Sequence, residues 1–292
     1  MPEPIDLTLH DDEDLLREAV NFTASRTGFV ARLIEKDYFC SVLLACLTRH
    51  GVNRLVFKGG TCLAKVHAGF YRLSEDLDFT IPLPYDASRS QRRQAVAEIK
   101  NIVARVADYV PAFFTTNPLE GANNSTQYVG AIGYRSPTSG QQERILIEVS
   151  LREPLLTPAV GAPAKTLLLD PIGGDALVPA VMVNCISMVE AMAEKFRAAL
   201  SRRDVAIRDF YDLEYAAQHL GLDPENAQLI ELVREKLAVP GNSSVDVSDA
   251  RFAALKRQLD TRLKTVLRDE AFRAFDLGQA MELVLAVAKH VV

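Results

Sequence analysis

Apolar residues recur at helical spacing through the first fifty positions of the chain. Leu15, Leu16, Ala19 and Val20 share one helix face. After "SRTG", the positions Val30, Leu33, Ile34, Cys40, Leu43, Leu44 and Leu47 form a second stripe, with Gly51 as its expected C-terminal cap. The period then changes. "NRLVFKGG" (53–60) reads as a short buried strand running into a glycine turn, and "TCLAKVHAGF" (61–70) as helix. "DLDFTIPL" (76–83) reads as a strand ended by Pro82 and Pro84. An amphipathic helix is expected over 88–110, then two strands, "TQYVGAIGYRS" and "ERILIEVSL", joined by the turn-like "SPTSGQ". From residue 154 Pro and Gly become frequent, as in a connection with short extended pieces. Helical spacing then returns over 186–203, 205–220, 224–238, 248–265 and 269–290. The pattern predicts an α/β (α+β) first domain over 1–170 and a helical C-terminal domain over 171–292.

Composition adds bounds rather than detail. With 292 residues, 48% of them hydrophobic and 24% charged, the chain has an ordinary globular make-up and can bury a core without staples. No apolar run reaches the about 18 residues of a membrane span, and the acidic start "MPEPIDLTLHDDED" lacks the basic-then-apolar order of a secretory signal. Cys40, Cys46, Cys62 and Cys185 form no C-x-x-C pair and have no zinc-ligand spacing, so free thiols in a reducing cytoplasm are expected. A net charge of −5 argues against a general nucleic-acid coat protein but allows a local basic site. "SRSQRR", with Arg89 to Arg93, offers a contact for an RNA backbone; more often such a cluster is a solvated helix start.

The chemistry concentrates in "KGGTCLAKVHAGFYRLSEDLDFTI" (58–81). On an extended strand Asp76 and Asp78 share one face, roughly 7 Å apart, and Leu77, Phe79 and Ile81 face a core. Two such carboxylates repel each other unless cations lie between them, and hard oxygen donors suit Mg²⁺. Two ions can clamp the entering and leaving oxygens of a phosphoryl or nucleotidyl transfer. Glu148, the one acid inside the apolar run "RILIEVSL", is the candidate third carboxylate; a solvated or edge-strand face is the plain alternative. Gly59, Gly60 and Thr61 let the backbone turn and approach a phosphate, and Thr61 is placed to cap the helix that follows. Lys58 and Lys65 flank the turn, and either can neutralise a triphosphate. Glu75 points away from the metal face by alternation, and His67 reads as structural or surface.

Lys195, Arg197, Arg202, Arg203 and Arg208 gather five cations in one stretch of an acidic protein. A solvated face with local ion pairs, such as Arg208 with Asp212 at i,i+4, accounts for such a run without any function.

In this order the motifs resemble the nucleotidyltransferase AbiEii/AbiGii toxin family, toxins of abortive-infection toxin–antitoxin systems. "KGGT-x-L-x-K" leading to "R-x-SEDxD", the upstream Lys36–Asp37 in "IEKDYFCSVLL", and "EAMAEKFRAALSRRDVAIRDFYDL" downstream carry the resemblance, which spans residues 30 to 215. Compared with the broader polymerase-beta-like superfamily, the gap between the glycines and Asp76 is long here. The resemblance implies a polymerase-beta-like nucleotidyltransferase domain with a small mixed sheet and flanking helices, and a helical domain that contributes active-site residues. It implies a toxin that moves a nucleoside monophosphate from an NTP to RNA, with a tRNA 3′ end as acceptor, arrests growth, and is opposed by an antitoxin. It also implies that Lys195 holds phosphate and that Asp209 supports metal, nucleotide or acceptor. Two other classes remain open: an NTP-binding regulator of the same fold without transfer, and a toxin acting by protein–protein contact through its helical half.

Overall fold

The computed structural model describes residues 7–50 and 54–291; Gly51, the expected cap of the second helix, lies outside the described residues. The chain divides into two compact units, one ending at Ile186 and one starting at Ser187.

The first unit holds α1 (Glu13–Thr27), α2 (Ala31–Arg49), β1 (Val56–Lys58), α3 (Gly59–Cys62), β2 (Asp76–Thr80), α4 (Arg89–Ala104), α5 (Val106–Tyr109), β3 (Phe113–Ala122), β4 (Gln127–Arg135), β5 (Gln142–Ser150), β6 (Val160–Ala164) and β7 (Val181–Cys185). The strands form one mixed sheet in the order β3-β4-β5-β2-β1-β7-β6. β2 runs parallel to β5 and antiparallel to β1, and β1 runs parallel to β7. Helix α2 is buried on all sides from Leu33 to Leu47, although it carries Glu35, Lys36 and Asp37. Gly28 ends α1 in the left-handed conformation (φ 76°), as helix C-termini favour.

Two strands sit where the apolar pattern is weak. β3 lies at the sheet edge, contains Pro118 and shifts register twice, so its side chains do not keep a two-residue alternation. β7 alternates buried and exposed residues and pairs with β1. The sheet therefore continues past residue 170, and the first unit ends at Ile186.

The second unit consists of α6 (Met188–Ser201), α7 (Ile207–His219), α8 (Ala227–Ala238), α9 (Asp249–Lys256), α10 (Asp269–Ala274) and α11 (Leu277–Val291). Ser187, Asn226 and Ser248 cap α6, α8 and α9 through their side chains. The buried Arg251 guanidinium donates to the carbonyls of Ala199 (2.7 Å) and Arg202 (3.0 Å), satisfying the open end of α6. The expected helix over 269–290 is broken at Asp276, whose carboxylate accepts from the N–H groups of Gly278 (2.7 Å) and Gln279 (3.1 Å) and starts a new helix. No helix among the described residues is long and apolar enough to cross a membrane.

Candidate active site

β1 delivers the glycine turn directly against β2. Lys58 is the register partner of Asp78. Gly59 follows with φ +75°, and a β-carbon on it would fall 2.2 Å from Asp78 Oδ2. Glycine is needed here twice, for the left-handed backbone and for the close approach. A β-carbon on Gly60 would fall 2.7 Å from Arg72 Nη2 and 3.1 Å from Ser74 Oγ. The glycine pair is thus wedged between a carboxylate and a buried guanidinium; Ser74, expected to shape the approach to Asp76, stands here, and Arg72, which the sequence reading did not single out, joins it.

Thr61 does not cap the helix. Helical winding starts at Gly59, with Lys58 in the cap position and no side-chain cap bond. Thr61 is buried inside this turn, and its hydroxyl donates to the main-chain carbonyl of Asp76. The hydroxyl expected to face a phosphate instead ties α3 to the start of the carboxylate strand. Beyond Cys62 the helix widens into a π-turn over Leu63–His67.

On β2, Asp76 and Asp78 are half-buried, while Leu77 and Phe79 lie in the core at 0% and 3% exposure. The parallel register sets Asp78 opposite Glu148 and Asp76 opposite Leu146. Register partners on parallel strands face the same side, about 4.8 Å apart. Asp76, Asp78 and Glu148 therefore line one face of two adjacent strands, with Ile147 and Val149 of β5 fully buried on the other. This oxygen-only donor set, half-buried beside a glycine turn, has the chemistry of a site for a hard divalent cation.

Three consecutive charged residues of α2 hold this layout. Glu35 accepts from Thr138 N (2.9 Å) and Ser136 Oγ (3.0 Å) in the β4–β5 turn. Lys36 Nζ lies 2.9 Å from Glu75 Oε2, and Arg32 reaches the same oxygen at 2.9 Å. Burial alone would raise the Glu75 carboxyl pKa, but the Lys36 hydrogen bond and charge, with Arg32, hold it below its ordinary value. Asp37 pairs with Lys65 at 2.6 Å. Lys65 Nζ also lies 2.8 Å from Ser41 Oγ, 3.1 Å from the Asp37 carbonyl and 3.2 Å from the Lys165 carbonyl. These acceptors occupy all three ammonium protons, and the side chain is fully buried. Of the two lysines flanking the turn, Lys65 is thus turned into the protein, and Lys58, half-buried, is the one that stands opposite Asp78. The signal in the sequence was there: charges in the middle of an apolar helical run need partners.

In the second unit, Lys195 of α6 lies 2.7 Å from Asp209 Oδ1 and 2.7 Å from Asp212 Oδ2 of α7. Arg202 Nη1 stands 3.4 Å from Asp209 Oδ2. Asp212, expected opposite Arg208 on its own helix, is engaged by Lys195 of the neighbouring one. "SRSQRR" opens α4 with a Ser88–Gln91 capping box. Arg92 turns inward to the Tyr85 carbonyl at 3.3 Å, and Arg89 and Arg93 are exposed.

Among solved structures, nine chains match. JHP933 from Helicobacter pylori is 15% identical, with 87% of this chain and 91% of that chain covered and a TM-score of 0.48. MenT4, a nucleotidyltransferase toxin from Mycobacterium tuberculosis, is 17% identical, with 94% and 98% covered and a TM-score of 0.37. The search of curated proteins finds no match. The sequence pattern of the nucleotidyl transferase AbiEii toxins of type IV toxin–antitoxin systems matches residues 42–282, which take in the glycine turn, all three carboxylates and the Lys195–Asp209 pair. The chain belongs to the AbiEii nucleotidyltransferase toxin family.

Proposed function

We propose that this nucleotidyltransferase moves a nucleoside monophosphate from an NTP to a hydroxyl of RNA, with a tRNA 3′ end as the acceptor that the resemblance implies. Growth arrest, relieved by a cognate antitoxin, is the corresponding biology. The observation that carries the reading is the contact of the glycine turn with the carboxylate strand, where a β-carbon on Gly59 would lie 2.2 Å from Asp78 Oδ2. A phosphate held on the turn would lie beside the acids suited to its counter-ions.

Asp76, Asp78 and Glu148 would hold Mg²⁺, with two ions the expectation. Bound there, the metal would neutralise charge on the phosphates and on the attacking oxygen. Main-chain N–H groups of Gly60 and Thr61, with the Lys58 ammonium, are donors suited to phosphate oxygens. Glu148 would take the proton of the acceptor hydroxyl. That oxygen then bonds to the α-phosphorus, and the bond to the β-phosphate oxygen breaks, releasing pyrophosphate. Lys195 would bind the phosphate tail, with Asp209 as its positioning partner. Lys65, sealed against Asp37, would hold the π-turn on α2 rather than bind phosphate.

The test is transfer of each α-labelled NTP into total RNA with Mg²⁺, run beside Asp76→Ala and Asp78→Ala. Label in a discrete RNA band is expected with the wild type, falling about 10³-fold or more in either variant. Normal transfer by either folded variant would sink the metal assignment. Pyrophosphate release without labelled RNA would move the acceptor to another class.

A further inference from the structure

Cys62, His67 and Cys185 are scattered in sequence but meet in the fold. Each offers a ligand atom within 4.8 Å of the other two. Both cysteines are fully buried, and neither is in a disulfide. Cys62 ends α3, His67 ends the π-turn, and Cys185 ends β7. We propose that these three residues bind one Zn²⁺ ion, which staples the glycine-turn helix to β7.

Four-coordinate zinc takes Cys sulfur at about 2.3 Å and His nitrogen at about 2.0–2.1 Å, which sets its ligand atoms roughly 3.5–4 Å apart. The three ligand atoms lie within 4.8 Å of one another, close to that spacing. His67 Nε2 lies 3.0 Å from the Ile186 carbonyl. Facing an acceptor, Nε2 carries the proton, and Nδ1 keeps the lone pair; a carbonyl behind a ligating imidazole is the usual partner. The charge also balances: two thiolates, a neutral imidazole and Zn²⁺ sum to zero, as a buried site requires. The three protein ligands leave the fourth position to water, beside the half-exposed His67. These soft donors select against Mg²⁺, so the ion is separate from any held by Asp76, Asp78 and Glu148. The proposal stands whether or not the chain transfers nucleotides.

The full chain, purified without chelators, would be assayed for zinc by mass spectrometry. Its metal-stripped form would be titrated with Zn²⁺ and with Co²⁺. The expected results are one equivalent of zinc per chain, a thiolate-to-Co²⁺ charge-transfer band, and a thermal midpoint that rises with Zn²⁺. Cys185→Ser should abolish the band. Because a buried Cys→Ser change can itself impair folding, His67→Gln supplies the second arm, keeping its circular dichroism while binding Zn²⁺ at least about tenfold more weakly. Absence of zinc and of the Co²⁺ band in the folded wild type overturns the proposal. So does a His67→Gln variant that binds Zn²⁺ as the wild type does. A Cys62–Cys185 disulfide whose reduced form takes up no metal overturns it too.

Discussion

Two paired lysines, the buried Lys65 of the first unit and the half-buried Lys195 of the second, show how differently the same charge can be used. Lys65 meets one carboxylate, Asp37, and neutral acceptors complete its shell. Charge is balanced one to one, no proton is spare, and the side chain is fully buried. Lys195 meets two carboxylates, Asp209 and Asp212, and retains 14% exposure. Arg202 shares Asp209 at 3.4 Å, so two acids face two cations in this cluster. A balanced, sealed pair is a structural device, because removing one partner strands the other in low dielectric. A partly exposed cluster, in which each acid has a neighbouring cation and the lysine has two acids, tolerates the loss of one acid better than a sealed pair does. Yet in the sequence both lysines follow motif residues and look alike.

The sharpest way to break this contrast is to remove one acid from each cluster. Asp37→Asn should destabilise the protein by about 3–5 kcal/mol, read by urea denaturation, because Lys65 is left without a counter-charge. Asp209→Asn should cost no more than about 1 kcal/mol, since Asp212 still pairs with Lys195. The same variant should lower transfer about 10²-fold if Asp209 serves the reaction. Equal stability losses in the two variants would erase the distinction.

Gly59→Ala sharpens the comparison from the backbone side. The substitution meets both a left-handed φ and Asp78 Oδ2 at 2.2 Å. A loss of about 1–3 kcal/mol is expected, with transfer falling more than stability alone explains. Unchanged transfer would show that the turn and Asp78 do not act together.

The smallest effect concerns Glu75, which Lys36 and Arg32 hold below its ordinary carboxylate value. A depressed folded pKa contributes stability above the unfolded value, and that stability is lost as pH falls through the folded value. Glu75→Gln should therefore leave a shallower acid limb in a plot of stability against pH, below the ordinary range of a glutamate. An unchanged acid limb would show that other carboxylates set it.

Much of the site was legible because it lies on short, regular pieces. Alternation alone put Asp76 and Asp78 on one face, and the register of β2 with β5 adds Glu148 beside Asp78. Elements whose residues follow no period were not legible. β3 carries a proline and two register shifts, and β7 sits within a stretch rich in Pro and Gly. Thr61 fits a cap by type, but helical winding begins two residues earlier, and its hydroxyl turns to β2. Residue type cannot report that turn, since the same hydroxyl satisfies either geometry.

By itself the sequence determined the order of elements, the faces of the strands, the carboxylate pair beside a glycine turn, and the family resemblance. These are local properties, set by periodicity, backbone freedom and spacing along the chain. Only the tertiary structure decided which lysine is sealed away, which acid answers Lys195, and that Cys62, His67 and Cys185 meet. Such pairings join residues from distant parts of the chain, and burial selects among partners that the sequence leaves equivalent.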